Sequence, residues 1–117
     1  MGTHVLSAGY YEAYYARALK VREAVRKGML QALENCDALL TPVAPDAAPL
    51  LGEHADEPAS MYRSDIMTVP ANLAGLPAVS IPFGREEKGL PVGVQLIGGM
   101  LQEKSLLNIG RLLEGGR

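Results

Sequence analysis

The sequence has 117 residues, 48% of them hydrophobic, with a formal net charge of −2 and a pI near 5.6. That size and composition suit one domain, or part of one, with a real core, and they exclude broad disorder. The acidic balance leaves no electrostatic footprint for nucleic acid, and no apolar run approaches the roughly 18–20 residues of a membrane span.

Met1-Gly2-Thr3-His4 shows no basic segment followed by an apolar core, so no signal peptide is expected. Residues 10–35 read as one long helix. Apolar residues recur at Tyr14, Ala18, Val21, Val25, Met29 and Ala32 in steps of three and four, widened by Leu19, Leu30 and Leu33. Ser7 is the expected N-cap, and Gly28 predicts a slight kink or a close neighbour. The basic residues between 17 and 27, interspersed with Glu23, read as a solvated helix face. Cys36 is the only cysteine, which excludes an intrachain disulfide, favours a reducing cytoplasmic setting and reads as an inert buried thiol.

Ala38–Pro42 is short and apolar, without alternation, and reads as a strand covered on both faces. Residues 43–60 carry Pro45, Pro49, Gly52 and Pro58 with four acidic side chains, and read as a long loop. Met61–Asp65 fits one helical turn. A second short helix is expected from Thr68 as cap, with Pro70 in its first turn and Gly75 ending it in a left-handed conformation. Ala78–Phe83 and Val92–Gly98 are strands joined by a hairpin over 84–91, and Glu103–Glu114 is a last helix. The expected sheet has the first strand and Ala78–Phe83 as parallel neighbours and the last two strands antiparallel. Three apolar strands are few for this chain to cover, so the sheet reads as unfinished.

Asp65 is the main candidate for chemistry. A carboxylate at a sheet edge can hold a substrate ammonium through a charge-assisted hydrogen bond; the plainer alternative is a turn cap. Asn72 and the cluster Tyr10, Tyr11, Tyr14 and Tyr15 fit packing and hydrogen-bonding roles better than substrate contact. No serine sits in a Gly-x-Ser-x-Gly elbow, no Gly-rich phosphate loop occurs, and His4 and His54 are too far apart for a metal-ligand pattern, so no metal site is expected.

Three stretches together carry a resemblance: Thr68-Val-Pro-Ala-Asn-Leu-Ala-Gly-Leu-Pro77, Val79-Ser-Ile-Pro82 and Gly89-Leu-Pro-Val-Gly-Val-Gln-Leu-Ile-Gly98. They are similar to the C-terminal region of amidase-signature enzymes. Leu6-Ser-Ala-Gly-Tyr-Tyr-Glu-Ala-Tyr-Tyr15, Lys20-Val-Arg22 and Leu39-Leu-Thr-Pro42 narrow the resemblance to the A subunits of bacterial glutamyl-tRNA(Gln) or aspartyl-tRNA(Asn) amidotransferases. The resemblance implies an α/β fold, a mixed sheet flanked by helices, with residues 1–117 as the C-terminal part of an amidase domain. It implies a Lys and two Ser as the catalytic triad, in a Gly- and Ser-rich signature that this sequence lacks. No catalytic residue is therefore expected here, and the chain alone is expected to be inactive. Within Met61-Tyr62-Arg63-Ser64-Asp65 it implies that Asp65 binds the α-ammonium of glutamine. It further implies B and C partner subunits, with ATP and Mg used by the partner, and no cofactor, membrane or direct nucleic-acid contact for this chain. A stand-alone amidase and a non-catalytic module remain as alternatives. The two fragment readings predict exposed sheet edges and self-association.

Overall fold

The computed structural model describes residues 8–53 and 58–116. The elements in chain order are α1 (Ala8–Leu33), β1 (Leu39–Pro42), α2 (Pro58–Ser64), α3 (Val69–Ala74), β2 (Ala78–Arg85), β3 (Pro91–Ile97) and α4 (Glu103–Gly115). Each agrees in type with the sequence reading. The expected cap Ser7 and both histidines lie outside the described residues.

The strand order is β1-β3-β2, and both pairings are antiparallel. The hairpin of β2 and β3 is as expected, but β1 and β2 are not neighbours: they run in the same direction with β3 between them. Leu39 and Ala78 both face Ile97, one from each side. The physical signal for this was in β3 itself. Gln95, Leu96, Ile97 and the following Gly98 are all buried, as a central strand requires.

Helices flank the sheet on both faces. On one face Ile97 packs with Ala71, Ala74 and Leu76 of the α3 region, and Met29, Leu30, Leu33 and Leu39 close around them. On the other, Leu96 and Ile81 pack against Leu106 of α4. The approach there is close: a Cβ on Gly98 would lie 2.8 Å from Leu106 Cγ, so only glycine lets α4 sit at this depth. Helix α4 lies on β2 and β3, which leaves Leu40 of β1 55% exposed. The expectation that β1 is covered on both faces thus holds on one face only.

At 1.5 Å per residue the 26 residues of α1 span about 39 Å, longer than the face it covers. Its burial begins at Val25; Tyr14 and Val21 are each 55% exposed. Gly28 has no neighbour that a Cβ would meet. Cys36 is exposed rather than buried, with its Sγ donating to the Ala32 carbonyl at 3.3 Å. It follows α1, past the stretch that packs on α3. The whole is a slab of 54 × 40 × 18 Å with a radius of gyration of 17.3 Å, against about 13 Å for a compact domain of ~100 residues.

The six-residue α3 is too short to be stable by itself, so its ends need outside partners. Gly75, at φ 66° and ψ 37°, turns the chain left-handed, and its N–H caps the carbonyls of Ala71 and Asn72. The N–H of Leu76 also reaches the Ala71 carbonyl, at 3.1 Å. The last two carbonyls are taken by α1. Arg22 Nε donates to the Leu73 carbonyl at 2.9 Å, and Arg26 Nη1 donates to the Ala74 carbonyl at 2.6 Å. Arg26 Nη2 also contacts Met100 Sδ at 2.9 Å. All four C-terminal carbonyls of α3 are therefore satisfied, and two basic residues read as a solvated face are in fact clamps on a helix C-terminus, where positive charge is favoured. Replacing Arg26 with Met keeps the stem and removes both donors. The loss expected is about 1–2 kcal/mol, a little below the range for charged hydrogen bonds because the pair is only part-buried. A thermal melt reads this as a midpoint lower by several degrees.

Candidate functional site

The turn that carries Asp65 is built by its backbone. The Asp65 carbonyl accepts from the N–H groups of Thr68 and Val69, each at 3.0 Å, and from Thr68 Oγ1 at 3.2 Å. Thr68 stands at the expected cap position of α3, but its side chain makes no cap bond to the helix; it turns back to Asp65 instead. The Asp65 side chain is exposed, and no described residue donates a hydrogen bond to its carboxylate. The capping alternative therefore has no bond behind it: the residue acts on the turn through its carbonyl, and the carboxylate is left over.

Gln95 anchors this turn to the sheet. It is 3% exposed, the one buried polar side chain among the described residues. Its Nε2 donates to the Met67 carbonyl in a short hydrogen bond and to the Pro42 carbonyl at 3.4 Å. One amide thus joins the end of β1, the middle of β3 and the turn between α2 and α3. Above it lies a cavity of about 260 Å³ lined by Val43, Thr68, Asn72, Leu76, Ser80 and Gln95, among others. A broader, open cleft of about 1180 Å³ lies under the loop after β1 and includes Arg63 and Ser64 in its lining. Arg63 and Ser64 line one hollow and Thr68 lines the other; Asp65 lies between them in the chain and lines neither.

Of the remaining candidates, Asn72 bonds within its own helix, whereas Tyr11, Tyr14 and Tyr15 are exposed rather than packed in a core. Asn72 Nδ2 donates to the Thr68 carbonyl at 3.1 Å, one turn back in its own helix, although it also faces the cavity. Tyr11 and Tyr15 stack at 5.3 Å with planes 11° apart, on a part of α1 that covers nothing described. Gln95 and the two arginines were not singled out by sequence. For Gln95 the available signal was a lone amide in the apolar run Val92–Gly98. No group of three or more His, Cys, Asp or Glu gathers among the described residues, and none of their helices is long and apolar enough to cross a membrane. What the arrangement offers is an exposed carboxylate, without a partner among the described residues, on a turn held by its backbone and suited to a cationic group.

The family model described as Amidase matches residues 1–107. The glutamyl-tRNA(Gln) amidotransferase A subunit of Prochlorococcus marinus is 54% identical over 114 residues, which is 97% of this chain and 24% of that protein. The crystal structure of the corresponding protein from Thermotoga maritima superposes with a TM-score of 0.84 at 47% identity, over 97% of this chain and 25% of that one. A 6-aminohexanoate cyclic dimer hydrolase structure gives 0.75 at 26% identity, over 94% and 25%. The chain spans about a quarter of the length of the curated relatives it matches. It belongs to the amidase family.

Proposed function

We propose that this chain is the C-terminal part of a glutamine-hydrolysing amidotransferase A subunit, which supplies ammonia for the amidation of Glu-tRNA(Gln) or Asp-tRNA(Asn). The observation that carries the reading is the 54% identity to a glutamyl-tRNA(Gln) amidotransferase over 97% of the chain, twice the 26% shared with the cyclic dimer hydrolase on the same scaffold. A stand-alone amidase acting on another amide is the second reading, supported by that shared scaffold.

In this reading Asp65 accepts hydrogen bonds from the α-ammonium of glutamine, and the turn that carries it fixes where the substrate backbone lies. The nucleophile and the groups that move its proton belong to the rest of the protein. Ammonia released from the side-chain amide passes to a partner B subunit, which would use ATP and Mg to activate the acceptor; a C subunit is the further partner in the complex. The work of the present chain is to bind and orient. A cytoplasmic location accompanies this role.

Three outcomes are expected. The purified 117-residue chain releases no ammonia from glutamine above background; measurable glutaminase activity would place a nucleophile in this chain and sink the assignment. In the full-length enzyme with its partner subunits, Asp65→Ala weakens glutamine binding by roughly 10- to 150-fold, the equivalent of losing about 1.5–3 kcal/mol of charged hydrogen bonding. Activity driven by ammonium chloride is unaffected in that variant, since free ammonia bypasses the glutamine site. An unchanged glutamine KM favours the stand-alone amidase. Finally, β1 and β2 each have one edge unpaired among the described residues, and Leu40 is exposed beside one of them. Sedimentation of the isolated chain is expected to show self-association; a monodisperse monomer supports an independent module instead.

A further inference from the structure

We infer that Gln95 is the positioning residue for Asp65, acting through the Met67 carbonyl. The inference rests on the reading of Asp65 as the ammonium-binding group and adds the device that sets its position. A buried amide in a central strand is costly unless its donors are used, and an aliphatic side chain at 95 would match its neighbours Val94 and Leu96. The amide instead uses its two hydrogens on two carbonyls that belong to different segments, Pro42 and Met67. Gln95 itself is held from both sides, with Thr41 and Ser80 as its cross-strand partners. Met67 lies inside the turn closed by the bonds from the Thr68 and Val69 N–H groups to the Asp65 carbonyl. Those bonds link Met67 to Asp65 within one closed turn, so fixing the Met67 carbonyl to β3 fixes the backbone of Asp65 relative to the sheet.

The test is steady-state kinetics on the full-length enzyme with its partner subunits, comparing single and double variants. Gln95→Met keeps the length and removes both donors; Gln95→Asn keeps an amide too short to reach both carbonyls, and carries the test if the Met variant does not fold. Each is expected to raise glutamine KM about tenfold, below the roughly 100-fold that a misplacement of about 1 Å can cost, with kcat changed less than about twofold. Combined with Asp65→Ala, neither is expected to weaken glutamine binding beyond Asp65→Ala alone, because a residue that acts through Asp65 has nothing left to position. A lowered melting temperature with unchanged KM overturns the proposal and leaves Gln95 a purely structural residue. So does a double variant whose effects multiply. If Asp65→Ala itself leaves KM unchanged, the substrate-binding reading falls first, and this role of Gln95 falls with it.

Discussion

Two backbone carbonyls from different segments, those of Pro42 and Met67, share a single donor group, the amide of Gln95, and the placement of the turn that holds Asp65 follows from that bond. The other end of the same segment is fixed differently. There Arg22 and Arg26 reach down from α1 to the last carbonyls of α3. Between these polar ties, Ala71, Ala74 and Leu76 lie against Ile97. A six-residue helix has no useful stability by itself. It persists here because one end is tied to the central strand, the other to a long helix, and its buried side is packed on the sheet. Polar bonds set the position and apolar contact supplies the cohesion.

The architecture is a layer. Sheet and helices are stacked in a slab 18 Å thick, and the surface carries exposed Leu101, Leu107 and Leu112 around α4 and Tyr14, Leu19 and Val21 on α1. Scattered exposed apolar residues are ordinary, but here some of them continue the same helix faces that form the cores. Leu112 lies three residues beyond the half-buried Ile109, and Val21 four before Val25. The apolar pattern is therefore longer than the surface available among the described residues to cover it, in keeping with a span of about a quarter of its relatives.

Local features were legible in the sequence because the physics that fixes them is local. Pro70 and Gly75 bracket α3 in any context, since proline starts a helix and glycine tolerates φ near 66°. The β2–β3 hairpin was equally plain from its Gly- and charge-rich connection. What failed was non-local. No residue in Leu39–Pro42 says which strand lies beside it, so the insertion of β3 between β1 and β2 was read as a parallel pair. Arg22 and Arg26 look like any solvated basic residues until α3 is brought under them, 51 and 48 positions away. Gln95 was hidden by the apolar run around it, although a lone amide in a buried strand was the available warning. For Asp65 the sequence offered a cap or a ligand. The structure gives the turn bonds to the carbonyl and leaves the carboxylate without a described partner.

A carboxylate without a partner among the described residues ties binding to covering. In water an exposed ion pair is worth about 0–1 kcal/mol, because both charges are already well hydrated and the side chain must be ordered to meet its partner. The same pair in a covered site, with other ligand atoms held in place, reaches about 1.5–3 kcal/mol. Asp65 in this chain is in the first regime: it is exposed. On the reading of Asp65 as an ammonium anchor, its affinity depends on surface from elsewhere in the protein closing over it. The layer described here contributes position, through the Asp65 turn and Gln95, and the covering part converts that position into binding energy. On that reading chain and cover are two halves of one site, and neither half has the substrate affinity of the whole.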